Sequence, residues 1–267
     1  MLKRFVTLLC LFLTAILFAS CAGKTQTLEA EGPTQPASNF TDEMKIPYEV
    51  DLEEYGADSV ERQGDHPDSP YFTNLDYYNM ESTDTLTILP KFKTQQQTSE
   101  WSCGISSILM VLNYYGLLGD YNEETLAQMR SNGLEPEATT LQDVVQILET
   151  VTGRETESTY DYPDDAIYEF MTLDKIQEYL KNDQPVLVAW NDWGGHWQVI
   201  IGYDTMGTET YADDVIIVAD PYDTTDHNQD GYGVYPAERF YYNWTMYDFF
   251  TENYDVDERD LLFCVLQ

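Results

Sequence analysis

Basic residues are scarce in this 267-residue chain, which has 13 Lys and Arg against 48 Asp and Glu, for a formal net charge of −35. Nucleic-acid binding needs clustered Lys and Arg to neutralise phosphates, so the shortage argues against DNA or RNA as a partner. It also disfavours docking on an anionic membrane through a basic patch. Apolar residues make up 43% and aromatics 14%, which excludes disorder along the whole chain and suffices for a folded core.

Cysteine and histidine are rare as well. Two of the four Cys lie within the first 21 residues, so the chain is not a disulfide scaffold. Of the three His, His66 lies in an acidic segment and His227 in an acidic loop, and only His196 begins an apolar stretch. Chemistry that needs both a thiol and an imidazole therefore has few candidates.

Residues 1–20 have the layout of a secretory signal, with a basic start and a mostly apolar run over 5–19. The run is shorter than the about 20 residues that a membrane span needs. Small residues before Cys21 resemble a bacterial lipobox, so we expect an extracytoplasmic, cell-envelope protein anchored in the membrane by a lipid on Cys21. Phe18 stands where lipoboxes have Leu, Val or Ile, so ordinary cleavage nearby and free secretion is the alternative.

Composition divides the rest of the chain into three parts. Residues 21–40 are rich in small and polar residues, which predicts a flexible tether. Residues 41–85 contain 13 acidic and two basic side chains mixed with aromatics, which predicts an irregular acidic arm. Residues 86–267 show regular periodicity and are expected to form one catalytic domain, which we expect to be monomeric.

Helical periodicity comes first in this domain and strand-like runs follow. Asn122, Thr140, Gly116 and Gly153 supply capping or stop signals. A mostly antiparallel α+β fold is therefore expected, with N-terminal helices followed by the sheet. The predicted helices are 103–115, 122–133, 140–153 and 173–182; the predicted strands are 86–89, 185–190, 196–203, 215–219 and 261–266; the aromatic segment 232–250 is expected to pack around a short helix.

Cys103 stands at the predicted N-terminus of the first long helix. Unpaired N–H groups and the positive end of the helix dipole favour an anion there, and a thiolate is the nucleophilic form of cysteine. Gln97 lies six residues earlier, where its amide and the Cys103 backbone N–H could together hold an oxyanion. The alternatives are an inert packed thiol and a plain polar loop residue.

His196 begins a predicted apolar strand, a position that suits a rigidly held general base. Asp220 ends the next strand, and the far ends of the two strands would meet in a hairpin. Asp220 could then accept the second ring N–H of His196 and set its tautomer. The alternatives are a satisfied core histidine and a turn-forming Asp before Pro221.

Three separated motifs together resemble the C39-like cysteine peptidases of the papain-like superfamily. They are Gln97 and Cys103-Gly104 followed by LMVLNYYG at 109–116, then GHWQVIIGYD at 195–204, then VADPY at 218–222. The resemblance implies a papain-like fold. It also implies Cys103 as nucleophile, His196 as base and acid, Asp220 as orienting residue and Gln97 as oxyanion donor.

The resemblance implies a hydrolase that cuts peptide or amide bonds through a thioester on Cys103 and needs no cofactor. Exporter-fused members cut leader peptides behind a double glycine, but this chain carries no transport ATPase, so that substrate is not carried over. An acyl transferase with the same thiol chemistry and a non-catalytic binding module on the same fold remain alternatives. Asn191 and Asp192 are reserve candidates for polar contacts near the cleft.

The acidic loop after Asp220 suggests a cation. Asp226, Asn228 and Asp230, followed by Gly231, fit the start of a calcium loop, although no Glu occupies the twelfth position of an EF-hand. A structural calcium ion held by Asp226, Asn228 and Asp230 is one hypothesis. A solvated acidic loop is the other.

Overall fold

The computed structural model describes most of the chain after residue 74 and short pieces before it. The described residues are 42–46, 70–71, 73, 75–163, 165–192, 195–223, 228–246 and 260–267. All of them belong to one unit, Gln35–Gln267. No helix among them is long and apolar enough to cross a membrane. The predicted signal and tether lie outside them.

Capping residues recognisable in the sequence mark several helix ends. The Asn122 side chain accepts the backbone N–H of Thr125, and Thr140 accepts that of Asp143. Gly153 follows its helix with a φ of 67°, a left-handed conformation that glycine adopts without strain. The helices of the described residues are α1 (Cys103–Tyr114), α2 (Glu123–Ala127), α3 (Leu141–Thr152), α4 (Ala166–Phe170), α5 (Leu173–Lys181) and α6 (Ala237–Trp244).

Apolar and β-branched runs form a seven-stranded sheet in which each recorded strand pairing is antiparallel. Its strands are β1 (Leu86–Ile88), β2 (Thr156–Ser158), β3 (Val186–Trp190), β4 (His196–Asp204), β5 (Val215–Ala219), β6 (Tyr232–Pro236) and β7 (Leu262–Leu266). The order across the sheet is β2-β7-β3-β4-β5-β6, and β1 also pairs with β4. The predicted α+β class with a mostly antiparallel sheet is confirmed.

Strand β4 lies at the centre of this arrangement. It pairs with β3 through its first half, with β1 through its last residues and with β5 on its other edge. The register against β5 shifts at Gly202, where an added Cβ would lie 3.2 Å from side-chain atoms of both Ile217 and Ile88. A larger residue here would require these side chains to move by a few tenths of an ångström, so glycine suits the close meeting of the three strands.

Helices cover the sheet and complete the core. Helix α1 packs on β4, α3 on β7, α5 on β4 and β1, and α6 beside β3 and β5. Each residue of β3 and β7 is buried, as expected for central strands covered on both faces. The start of α1 and the start of β4 are thereby held in one rigid body.

The structure contains β2 and α4, which the sequence did not predict, and it differs from the prediction in two further places. Helix α2 ends at Ala127 rather than near Gly133, because Arg130 turns inward and donates to the carbonyl oxygens of Gly133, Glu135 and Glu137. In a continuing helix these carbonyl oxygens would accept backbone N–H groups of the same helix, so the chain must form turns for Arg130 to reach them. The predicted aromatic segment also contains β6 before its short helix, so its first five residues belong to the sheet edge.

Described parts of the acidic arm contribute to the core. Met44 and Ile46 are buried, and their backbone exchanges hydrogen bonds with Thr94 at 2.9 and 2.8 Å. Tyr77 and Tyr78 are buried too. The apolar residues in these pieces of the arm therefore pack into the core of the domain, while acidic residues flank them.

Candidate active site

Cys103 is the first residue of α1 and is 7% exposed. Its preceding residue, Ser102, makes no side-chain cap to the helix, because its hydroxyl bonds to Ser99 instead. The backbone N–H groups in the first turn of α1 are therefore not capped by the Ser102 side chain, and they lie beside the thiol of Cys103. Such N–H groups favour a thiolate or an oxyanion.

Gly104 explains how α1 comes so close to the sheet and its neighbours. A Cβ at this position would lie 2.8 Å from Thr139 Cβ and 3.1 Å from Trp197 Cδ1. Trp197 is in β4, next to His196, and its indole N–H donates to the Thr139 carbonyl at 2.8 Å. A glycine after Cys103 thus brings the nucleophile candidate to the strand that carries the histidine.

His196 begins β4, directly opposite Trp190 of β3, and Asp220 follows the last residue of β5. The antiparallel pairing of β4 and β5 brings their far ends together, as the sequence predicted. His196 Nε2 lies 2.8 Å from Asp220 Oδ1, and both side chains are buried. A hydrogen-bonded His–Asp pair is therefore built into the end of one hairpin.

The charge of His196 depends on this partner. Burial lowers the pKa of His196, but the Asp220 carboxylate and the Cys103 side chain outweigh it and raise the pKa to about 10. Burial likewise opposes ionisation of Asp220, and His196 together with backbone N–H groups lowers the pKa of Asp220. The pair is an imidazolium–carboxylate pair at neutral pH. Because Asp220 occupies Nε2, the Nδ1 proton is left for Cys103.

Gln97 reaches the same region through its backbone. Its N–H donates to the Pro221 carbonyl, one residue beyond Asp220, at 2.8 Å. Its side-chain Nε2 donates to the Ser99 carbonyl at 2.6 Å, which also fixes the orientation of the amide. A primary amide has a second N–H, which this hydrogen bond does not use. The structure therefore places Gln97 beside the His–Asp pair without a recorded contact to Cys103.

Sequence reasoning gave no role to Gln198, which lies two residues after His196 on β4 and is fully buried. Its Nε2 donates to Asp220 Oδ2 at 2.8 Å. The signal was available: a lone amide within an apolar strand, on the same face as His196 by the two-residue strand period.

Glu123 was also missed. It is 5% exposed and accepts hydrogen bonds from the Thr98 hydroxyl at 2.6 Å, the Thr98 N–H at 3.2 Å and the Ser106 hydroxyl at 3.1 Å. Burial raises the pKa of Glu123, and these hydrogen bonds act against that shift. The carboxyl joins the loop between Gln97 and Cys103 to α1.

Tyr222 borders the histidine on the solvent side. Its ring stands edge-on to the His196 ring with centroids 6.3 Å apart, and its hydroxyl donates to Glu100 Oε1 at 3.1 Å. The Gln96 side chain donates to the Tyr222 carbonyl at 3.1 Å. The segments before Cys103 and after Asp220 are thus linked beside the site.

The reserve candidates lie close by. Asp192 accepts a hydrogen bond from the Tyr235 hydroxyl at 3.3 Å, and Asn191 is half-buried after the end of β3. Tyr235 also packs edge-on against Trp190, with ring centroids 5.0 Å apart. Part of the predicted aromatic segment therefore packs behind the His196–Asp220 pair.

The predicted calcium loop is only partly described, because Asp226 lies outside the described residues. Asn228 and Asp230 are buried. Burial and the charge of Asp230 raise the pKa of the neighbouring Asp223 well above its ordinary value. Among the described residues, no group of three or more His, Cys, Asp or Glu side chains could hold a metal ion. The calcium site stays a prediction.

The remaining cysteines differ in position. Cys264 lies in the middle of β7, fully buried, where burial raises the pKa of its thiol. Cys21, the predicted lipid attachment point, lies outside the described residues, so its lipidation stays a prediction.

Solved structures with similar folds include three cysteine peptidases of low sequence identity. The peptidase domain of Streptococcus ComA is 20% identical, covers 66% of this chain and 97% of its own, and has a TM-score of 0.40. A double glycine motif protease from an AMS/PCAT transporter is 18% identical, covers 59% and 86%, and has a TM-score of 0.36. Xylellain from Xylella fastidiosa is 11% identical, covers 84% and 95%, and has a TM-score of 0.41.

Sequence comparison is more decisive. No curated protein matches the chain. The family model described as the Peptidase_C39 like family matches residues 89–251, which include Gln97, Cys103, His196 and Asp220. That match covers more than half of the chain and confirms the resemblance stated from the three motifs. The chain belongs to the Peptidase_C39 like family and is a cysteine peptidase of the papain-like fold class.

Proposed function

We propose that Cys103, His196, Asp220 and Gln97 are the catalytic residues of an exported, lipid-anchored cysteine hydrolase that cleaves peptide or amide bonds. The observation that carries the proposal is the buried connection of three groups. Cys103 interacts with His196, and His196 Nε2 lies 2.8 Å from Asp220 Oδ1. Each member sits at the end of a regular element, which holds it rigidly.

In the first half of the reaction, the Cys103 thiolate attacks the carbonyl carbon of the scissile bond. Since the pKa of His196 is raised to about 10, the ring is protonated at neutral pH and can give its Nδ1 proton to the leaving nitrogen. The C–N bond breaks, the amine product leaves, and the acyl group remains as a thioester on Cys103.

In the second half, neutral His196 takes a proton from water, and the oxygen attacks the thioester carbonyl. The C–S bond breaks, the carboxylic acid leaves, and the thiolate and imidazolium are restored. An amine in place of water would give acyl transfer with the same residues. Product analysis with and without added amines separates hydrolysis from transfer.

Both halves pass through an oxyanion. The Cys103 backbone N–H at the start of α1 and the second N–H of the Gln97 amide are the donors that we assign to it. Removing one such donor from an acyl-transfer enzyme costs about 100- to 1,000-fold in kcat. We therefore expect Gln97→Ala to lower turnover by that order while Cys103 still reacts with small alkylating agents.

Alkylation tests the nucleophile without a known substrate. In the full chain treated with iodoacetamide at neutral pH, Cys103 should label much faster than Cys264, which is buried in β7 and serves as the internal control. His196→Gln should slow labelling of Cys103 about 100-fold, because the thiolate loses its cationic partner. Equal labelling of the two cysteines by mass spectrometry would refute the proposal.

A peptide or protein is the substrate class that family membership implies. One similar structure holds a leader peptide and another comes from a quorum-sensing transporter. We infer peptide cleavage for this chain and do not extend the double-glycine motif to it. Cleavage profiling on a peptide library would define the sequence preference.

The cell-envelope location rests on the N-terminal sequence alone. The basic and apolar start followed by Cys21 supports lipid attachment at that cysteine. Labelling with radioactive palmitate in a bacterial host should mark the wild-type chain and not Cys21→Ser. Label on neither protein would favour the secreted alternative.

A further inference from the structure

Gln198 lies behind the candidate triad and is completely shielded from solvent. It occupies β4 two positions after His196, so both side chains project from the same face of the strand. A buried amide is costly unless its hydrogen-bonding groups are satisfied. The partners of this amide therefore indicate what it does.

The orientation of the amide is unambiguous. The Trp190 indole N–H can only donate, and it lies 2.8 Å from Oε1 of Gln198, which must be the acceptor. Both N–H groups of Nε2 are thereby directed to the other side. One donates to Asp220 Oδ2 at 2.8 Å and one to the Tyr235 hydroxyl at 3.1 Å. Tyr235 in turn donates to Asp192 Oδ2 at 3.3 Å.

Asp220 is consequently held through each oxygen separately. Oδ1 accepts from His196 Nε2 and from the Tyr222 backbone N–H, both at 2.8 Å, while Oδ2 accepts from Gln198. His196 and Gln198 donate from opposite sides, so the residue at position 220 needs an acceptor oxygen on each side, and a carboxylate has both. An asparagine would turn its N–H₂ towards either His196 or Gln198, where a donor already lies.

We propose that Gln198 is a positioning residue for the reaction: it holds Asp220 as a carboxylate, keeps the His196 ring aligned on Cys103, and makes the site require aspartate at position 220. The proposal rests on the proposed function above. Besides His196 and Asp220, the titratable groups facing this cluster are Cys103, Tyr222, Tyr235, Asp192 and Asp223.

The test is iodoacetamide labelling of Cys103 in the full chain across a pH series, compared between the wild type and Gln198→Met. Methionine keeps the length of the side chain and removes its hydrogen bonds. Losing a hydrogen bond to a buried carboxylate should slow labelling at mildly acidic pH about 10- to 100-fold and move the labelling midpoint to higher pH. The weaker Asp220–His196 pair would hold less imidazolium beside the thiol.

The matched control is Tyr203→Phe. Tyr203 lies on the same strand, and its hydroxyl also donates to a buried carboxylate, Asp214, away from the site. This variant should lose stability without changing the pH profile of labelling. Circular dichroism and melting temperature verify that each variant is folded. If Gln198→Met does not fold, Trp190→Phe replaces it, and a shift in the same direction is expected.

A double variant tests directly whether the amide of Gln198 and the carboxylate of Asp220 depend on each other. Asp220→Asn alone should slow labelling, and Asp220→Asn combined with Gln198→Glu should regain part of the loss, because the carboxylate then stands on the other side of the contact. Unchanged labelling in Gln198→Met, or no recovery in the double variant, would overturn the proposal. Slow labelling of Cys103 in the wild type would instead refute the proposed function, so the two failures are distinguishable.

Discussion

At the residue scale, the chemistry of the site depends on which nitrogen of one histidine faces which neighbour. Asp220 occupies Nε2 of His196, which leaves Nδ1 for the hydrogen bond with Cys103. Three motifs in the sequence predicted these residues. They could not predict the tautomer or the second oxygen contact of Asp220, since both depend on where Gln198 and Tyr222 stand in space.

The charge of His196 makes a prediction for stability against pH. The folded pKa of about 10 lies above the ordinary value of 6.5, so the stabilisation from this group is complete below 6.5 and is lost as the pH rises through 10. His196→Gln removes the titrating ring. In differential scanning calorimetry between pH 6.5 and about 10, the melting temperature of His196→Gln should fall less than that of the wild type. Parallel curves for the two proteins would contradict the raised pKa.

At the element scale, a short loop joins the oxyanion candidate to the nucleophile candidate. Residues 98–102 run between Gln97 and Cys103, and Glu123 of α2 fixes this loop by accepting from Thr98. The starts of α1, α3 and α5 and the hairpin of β4 and β5 were predictable, because caps and periodicity act locally. The contact with Glu123 was not, because its residues are 25 positions apart in the chain.

Replacing Glu123 by glutamine should loosen this loop. The new N–H₂ group would replace one carboxylate oxygen and face either the Thr98 hydroxyl or the Thr98 N–H and the Ser106 hydroxyl, so we expect a loss of about 1–3 kcal/mol in the free energy of unfolding. Labelling of Cys103 should also become slower. The control is Glu124→Gln, one residue further on, where the side chain is exposed and bonds only to Gln128 among the described hydrogen bonds.

Urea unfolding and iodoacetamide labelling measure the two effects. Equal stability of Glu123→Gln and Glu124→Gln would show that the buried carboxyl does not organise the loop.

At the scale of the whole molecule, the net charge of −35 is the dominant feature. Part of it is buried: Asp223 and Asp230 lie together inside the fold, at 0% and 1% exposure. Self-repulsion of this kind destabilises a compact state unless protons or cations relieve it. We expect long-range repulsion from the acidic surface to disfavour acidic substrates, an effect that salt reduces beyond about 8 Å.

Calcium provides the test at this scale, and we propose that the acidic loop with Asp226, Asn228 and Asp230 binds it. Millimolar calcium should raise the stability of the wild type by about 1.4 kcal/mol at ten times its dissociation constant. Asp230→Asn should remove most of the response, whereas Asp213→Asn, an exposed acid shortly before β5, should keep it. Sodium chloride at matched ionic strength controls for screening. The same rise with sodium alone would refute a specific site.

The sequence by itself determined the local features: where α1, α3 and α5 begin, which apolar runs form β1, β3, β4, β5 and β7, and that His196 and Asp220 meet at the end of one hairpin. These follow from caps, periodicity and strand order, which involve residues close together in the chain. Only the tertiary structure decided that β7 inserts between β2 and β3, that α2 stops short because Arg130 turns inward, and that Gln198 supports Asp220. Those outcomes depend on contacts between distant residues, whose free energies arise only once the core has assembled.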